Sequence, residues 1–135
     1  TACIPYNPKW INSKGFQTRC YLYNYWFSKE EVLDSGKIIM VEGPGDVWRL
    51  TEAGINIGVG MMGTDLTKDQ QVVLEKSGAM IIYLITDNDK AGLVAQTKLI
   101  NKLEKMYKVI PLNLPKKDVG DMSVDEVKEF IGEKI

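Results

Sequence analysis

Four short apolar runs alternate with amphipathic segments from residue 37 onward, and no other feature restricts the fold as tightly. Lys37-Ile-Ile-Met-Val-Glu42, Ile55 to Val59, Met80 to Ile85 and Val109 to Leu114 have the length and β-branched content of buried strands. Helical spacing fills the intervals. Gly43-Pro-Gly-Asp46 reads as a turn, Val47 to Ala53 as a short helix closed by Gly54, and Thr67 as the cap of a helix that runs to Lys76. Lys90 to Tyr107 places Ala95, Leu99, Leu103 and Met106 on one stripe, as a helix covering a sheet requires. Beyond Pro115 a polar loop leads to a last helix, Val124 to Ile131, with Ser123 and Glu126 as its capping box. This order predicts an α/β fold: a central, mostly parallel sheet of about four strands flanked by helices. Residues 1–36 form a short N-terminal extension, irregular or a brief antiparallel element leading into the sheet.

With 135 residues, 44% of them hydrophobic, the chain suits one globular domain with a real core. No apolar run approaches the roughly 20 residues of a membrane span, and the first residues lack a secretory signal, so a cytoplasmic protein with no membrane partner is expected. Thr1 in place of Met suggests a piece of a longer protein. The chain has no histidine, which removes His-assisted hydrolase chemistry and His-based metal sites. Cys3 and Cys20 are read as reduced thiols, because neither a CxxC nor any other metal spacing surrounds them. Charge is distributed unevenly. Lys9, Lys14, Arg19 and Lys29 precede the first acid, among Trp10, Phe16, Tyr21, Tyr23, Tyr25 and Trp26. Such an arm can follow a nucleic-acid backbone while its rings stack on bases, or it can be ordinary core aromatics beneath solvated charges.

Ligands of an open parallel sheet gather beyond the carboxyl ends of its strands, and the acids of this sequence gather there too. Glu42 closes the first strand, Asp87 and Asp89 follow the third, and Asp118 and Asp121 follow the fourth, with Asp46 one turn beyond Glu42. In extended backbone Asp87 and Asp89 would point to one side, with Cα atoms about 6 to 7 Å apart. Hard oxygen donors without His or Cys favour Mg²⁺ or Mn²⁺, the ions of phosphoryl transfer. Asp and Asn also form turns and helix caps, so the Asp-Asn-Asp triplet has a purely structural alternative. Glu42 is more telling, because a carboxylate ending an apolar strand is costly without a metal, a partner or solvent. It is a candidate ligand or a general base near an attacking 3′-hydroxyl. Gly43 and Gly45 allow the backbone to approach a phosphate, and a helix starting near Asp46 adds its N-terminal dipole.

The run Ile39-Met-Val-Glu42-Gly-Pro-Gly-Asp46-Val-Trp, followed by Ile85-Thr-Asp87-Asn-Asp89-Lys-Ala-Gly92, resembles the toprim domain shared by bacterial-type primases, topoisomerases and some nucleases. Upstream, Pro8 to Ser13, Gly15-Phe16 and Leu22-Tyr23-Asn24 resemble the segment preceding that domain in bacterial and phage primases of the DnaG type. Downstream, Lys117-Asp118-Val-Gly-Asp121-Met resembles their third acidic motif, with a wider spacing than in cellular primases. The resemblance implies a toprim fold over residues 37–135, and residues 1–36 as the end of a primase polymerase core. It implies Glu42, Asp87 and Asp89 as catalytic residues, with Asp46, Asp118 and Asp121 joining them as candidates for holding Mg²⁺ or Mn²⁺. Lys9, Lys14, Arg19, Gly43, Gly45 and Lys90 become the candidate nucleic-acid or phosphate contacts.

Primer synthesis from ribonucleoside triphosphates on a single-stranded DNA template is the implied activity, in a bacterial cell or phage-infected host, with a replicative helicase as a further partner. A zinc-binding module and the first half of the polymerase core are then missing from this sequence. Two other classes stay open: a toprim nuclease or topoisomerase fragment, and a non-catalytic binding domain on the same scaffold.

Overall fold

A computed structural model describes residues 20–135. Four strands form one sheet: β1 (Lys37–Val41), β2 (Gly58–Gly60), β3 (Ile81–Leu84) and β4 (Lys108–Pro111), in the order β2-β1-β3-β4. All three pairings are parallel, with Ile39 opposite Gly58 and Tyr83, and Tyr83 opposite Ile110. Every parallel pair needs a crossover, and α2 (Pro44–Glu52), α3 (Lys68–Lys76) and α4 (Lys90–Leu103) supply them. The chain moves outward from β1 to β2, then returns to continue through β3 and β4 on the other side. Its direction therefore reverses at the β1/β3 boundary, and the loops after these strands flank a crevice.

The core explains why the apolar runs are continuous rather than alternating. Ile38, Ile39, Met40 and Val41 are all fully buried, as are Ile82 and Leu84, because helices cover both faces of a parallel sheet. From α4, Ala95, Leu99 and Leu103 are buried as the spacing predicts, but Met106, expected on the same stripe, lies beyond the helix end and is 67% exposed. Thr67 and Gln70 form a reciprocal capping box at the start of α3, and the Gln70 side-chain amide also donates to the Met61 carbonyl at 2.6 Å. Among the described residues no helix is long and apolar enough to cross a membrane.

Several element bounds depart from the sequence expectation. The helix expected from Val47 begins at Pro44, since proline is well suited to a first helical position and the carboxylate of Asp46 accepts from the Gly43 N–H. In place of Ile55 to Val59, β2 is the shorter Gly58–Gly60, and β4 is Lys108–Pro111 rather than Val109 to Leu114. Contrary to the expected reach to Tyr107, α4 stops at Leu103. The last helix is α-helical only over Val124–Val127 and widens to a π-turn over Lys128–Gly132.

The largest correction is a helix, α1 (Tyr25–Ser35), within the segment expected to be irregular. It has no broad apolar stripe: only Ser28 and Val32 are buried, while Trp26, Phe27 and Leu33 face outward. Polar bonds attach it instead, with Asn24 Nδ2 and Ser28 Oγ both donating to the Gly58 carbonyl at 3.1 Å. An antiparallel bridge between Tyr23 and Gly60 does lead into the sheet, as expected. Cys20, read as a reduced thiol, is instead disulfide-bonded. The expectation for Cys3 lies outside the described residues.

Candidate metal centre

Glu42 is the first residue past β1, and Asp87 lies just past β3, on the two strands that flank the reversal. Parallel pairing brings their loops together, and the Asp87 N–H donates to Glu42 Oε2 at 2.7 Å. The loop after β4 joins by three further bonds. Asn88 donates its N–H to the Lys117 carbonyl and its side-chain Nδ2 to the Leu114 carbonyl at 3.2 Å. The Gly120 N–H donates to Asp46 Oδ1 at 2.9 Å. Each of the three loops is thus bonded to the other two, which fixes the acids relative to one another before any ligand arrives.

The result is an open cleft of about 470 Å³ lined by Glu42, Gly43, Gly45, Asp46, Gly63, Asp87, Asp118 and Gly120. Four of the expected acids and two of the expected glycines therefore share it. Asp89 does not line it: its Oδ1 accepts the Gly92 N–H at 2.7 Å, making it the N-cap of α4. It stands close enough for its charge to act on Glu42 and Asp87. Asp121 is exposed and gives its N–H to Asp118 Oδ1 at 2.8 Å, so Asp118 caps a short 3₁₀ turn, Val119–Asp121. Lys90 is exposed at the first position of α4 and is absent from the lining. Lys9, Lys14 and Arg19 lie outside the described residues.

Electrostatics set this cleft apart from the rest of the surface. Burial pushes the Asp87 carboxyl up to about 6, aided by the negative charges of Glu42, Asp46, Asp118 and Asp89. Burial also raises Glu42, against the pull of the Asp87 N–H, and Asp89, Asp46 and Asp118 raise it further. Asp46 is raised mainly by burial and then by Asp118, although the Gly120 and Gly43 N–H groups favour its charged form. The ion pairs among the described residues are Arg49–Glu52, Lys102–Asp65 and Lys116–Glu126, and none uses a cleft carboxylate. Four acids thus face one another with no cation among the lining residues, an arrangement that favours a bound cation.

Three contributors were not identified from sequence. Gly63 and Gly120 line the cleft because distant loops meet there, which only the fold reveals. Gly92 had a visible signal, a glycine in the first turn of a helix beside an acidic pair. It is buried against the Asp87 backbone, and a Cβ built on it would stand 1.8 Å from the Asp87 carbonyl oxygen. Only glycine lets α4 start this close to the acid loop.

Comparison with known proteins gives the family and the fold. A family model described as "Toprim domain" matches residues 36–112. The DNA primase of Aquifex aeolicus is 33% identical over 133 residues, covering 96% of this chain and 26% of the relative. A DNA primase of Helicobacter pylori is 37% identical over 100 residues, covering 72% of this chain and 18% of that one. Among solved structures, the E. coli primase catalytic core superposes with a TM-score of 0.72 at 24% identity, covering 91% of this chain and 41% of that chain. The Aquifex aeolicus primase, solved with its zinc-binding and RNA polymerase domains, gives 0.65 at 32% identity, covering 84% and 27%. The chain spans about a quarter or less of the curated relatives it matches.

Proposed function

This chain belongs to the toprim domain family, and from that premise we propose that it is the metal-binding catalytic part of a DNA primase. The observation that carries this reading is the convergence of Glu42, Asp46, Asp87 and Asp118 in one cleft without a cation among the lining residues. The primase relatives support the choice among toprim activities. A related DnaG primase catalytic domain has been solved bound to single-stranded DNA, and the reading here takes such a strand as the template. Ribonucleoside triphosphates are the proposed substrates and a replicative helicase the proposed partner, in the cytoplasm of a bacterial cell or phage-infected host.

The donor set fits a hard divalent ion, being all carboxylate. Among the described residues no three acidic, His or Cys side chains stand close enough to enclose an ion together. Mg²⁺ and Mn²⁺ take one or two protein carboxylates and complete their shell with waters and phosphate oxygens, so the proposed site asks for one or two of these acids and not all four. Asp87 is the proposed first ligand, with Asp46 and Asp118 across the cleft and the charge of Glu42 beside them; Asp89 and Asp121 contribute charge and loop geometry. When bound, the ion neutralises phosphate charge and stabilises the departing oxygen.

The protein's own part is positioning and proton handling. The bond from Asp87 N–H occupies Glu42 Oε2, so the other oxygen remains as a base for a hydroxyl nucleophile. Its raised pKa brings Glu42 nearer the range where it can accept a proton. Gly43, Gly45, Gly63 and Gly120 leave the cleft wall without side chains, so phosphate can approach backbone.

Synthesis of labelled oligoribonucleotides by the full-length protein, with Mg²⁺ and a single-stranded template, tests the proposal. Glu42→Gln and Asp87→Asn should each abolish it; unchanged synthesis in both would overturn the site assignment.

A further inference from the structure

The loop that brings Asp118 to the cleft is built around a single 3₁₀ turn, Val119–Asp121. Val119 and Met122 are buried beneath it, but apolar burial is non-directional and leaves the aim of the carboxylate to hydrogen bonds. Asp118 Oδ1 is already occupied by the Asp121 N–H, so the turn sets the direction of the other oxygen. That turn is held on both sides. The carbonyl just before Asp118, that of Lys117, accepts from the Asn88 N–H. The carbonyl just after the turn, that of Met122, accepts from Arg49 Nη1. Arg49 lies on α2 nearly one helical turn beyond Asp46, which accepts the Gly120 N–H in the middle of the same segment. Its Nε pairs with the exposed Glu52 at 3.2 Å, a contact of little energetic weight that leaves Nη1 for the loop.

We propose that Arg49 is a positioning residue for Asp118: by fixing the Met122 carbonyl it closes the turn that aims the Asp118 carboxylate at the cation proposed for the cleft. Asn88 holds the other side, its Nδ2 adding a bond to the Leu114 carbonyl at 3.2 Å. The inference rests on the metal-binding reading of the cleft and adds to it a residue outside the lining. Charge and position make opposite predictions here. Arg49 is positive, so its removal by charge alone would strengthen the binding of a nearby cation. Release of the turn would weaken that binding, as loss of the groups that orient a ligand does.

The test is Mn²⁺ titration calorimetry on the full-length protein. Arg49→Met is expected to weaken Mn²⁺ binding about tenfold, while Arg49→Lys, which keeps a donor and the charge, stays within about twofold of the parent. Glu52→Gln, which leaves the Met122 bond in place, should bind as the parent does. Asp118→Asn should also weaken binding, and adding Arg49→Met to it should weaken it no further, because the arginine acts through that carboxylate. Hydrogen exchange of the metal-free proteins gives a second readout. The Asp121 and Met122 amides should exchange faster in Arg49→Met, while core amides such as that of Ile82 stay protected. Unchanged or tighter Mn²⁺ binding in Arg49→Met overturns the proposal, as do additive losses in the double variant, an equal loss in the Lys and Met variants, or loss of protection throughout the core. A parent that binds no Mn²⁺ at millimolar concentration overturns the metal-site reading and the proposal with it. Binding in the parent that Arg49→Met leaves intact overturns the positioning role alone.

Discussion

The backbone N–H of Asp87 donates to Glu42 Oε2 at 2.7 Å, tying the ends of two adjacent parallel strands through a candidate catalytic carboxylate. Glu42 is thus both reactive group and structural acceptor, and substitutions can separate the two roles. Glu42→Gln keeps an acceptor oxygen, whereas Glu42→Ala strands a partly buried donor. Both are neutral, so the difference between them reports the hydrogen bond. Thermal denaturation should find the Gln variant more stable by about 1 to 3 kcal/mol, with both variants inactive.

Asp87 makes a prediction about pH. Its carboxyl is raised from an ordinary 3.8 to about 6, chiefly by burial and then by Glu42, Asp46, Asp118 and Asp89. Between these values the folded protein holds more protons than the unfolded chain, so its stability falls as pH rises through the interval. Asn at this position carries no such charge. In chelator, Asp87→Asn should therefore gain stability relative to the parent as pH rises from about 4 to about 6. The gain should reach the order of 1 kcal/mol, because solvent at this open site screens part of the repulsion. Denaturant melts of the two proteins across that range provide the check, and a gap that shrinks toward pH 6 would contradict it.

Gly92→Ala puts a methyl group 1.8 Å from the Asp87 carbonyl oxygen, and neither backbone can yield cheaply. The start of α4 must retreat, taking with it the Asp89 cap. A destabilisation of about 3 kcal/mol or more is expected despite alanine's better helix propensity, together with loss of activity. Calorimetric melting resolves a change of that size.

Asp46 accepts from Gly43 and Gly120 and so joins the first acid loop to the third. Asp46→Ala removes that link. Hydrogen exchange should accelerate selectively at the Gly120 amide, while core amides such as those of Ile82 and Leu84 stay protected. Uniform acceleration would instead indicate global destabilisation.

How legible all this was in the sequence depended on distance along the chain. Strands β1 and β3 were plain because burial on both faces makes Ile38 to Val41 and Ile82 to Leu84 unbroken apolar runs. Their terminal acids were plain for the same reason, since Glu42 and Asp87 interrupt such runs. The α1 helix was hidden, because Asn24 and Ser28 hold it to Gly58 by polar bonds and leave no stripe. Pro44 looked like a turn residue and is a helix start, a choice settled by Asp46, three positions after Gly43, accepting from the Gly43 N–H. The separate fates of Asp87 and Asp89 were also out of reach: one lines the cleft and the other caps α4, a difference set by Gly92. Asp46 and Gly120 are 74 residues apart, and only folding makes them partners.

The most direct test of the account is whether this cleft binds a divalent ion at its carboxylates. Titration calorimetry of the full-length protein with Mn²⁺ or Mg²⁺ at neutral pH should detect binding at millimolar concentration or below. Asp87→Asn and Glu42→Gln should each weaken it by about tenfold or more. No binding at millimolar ion, or equal binding in the parent and both variants, would contradict the account.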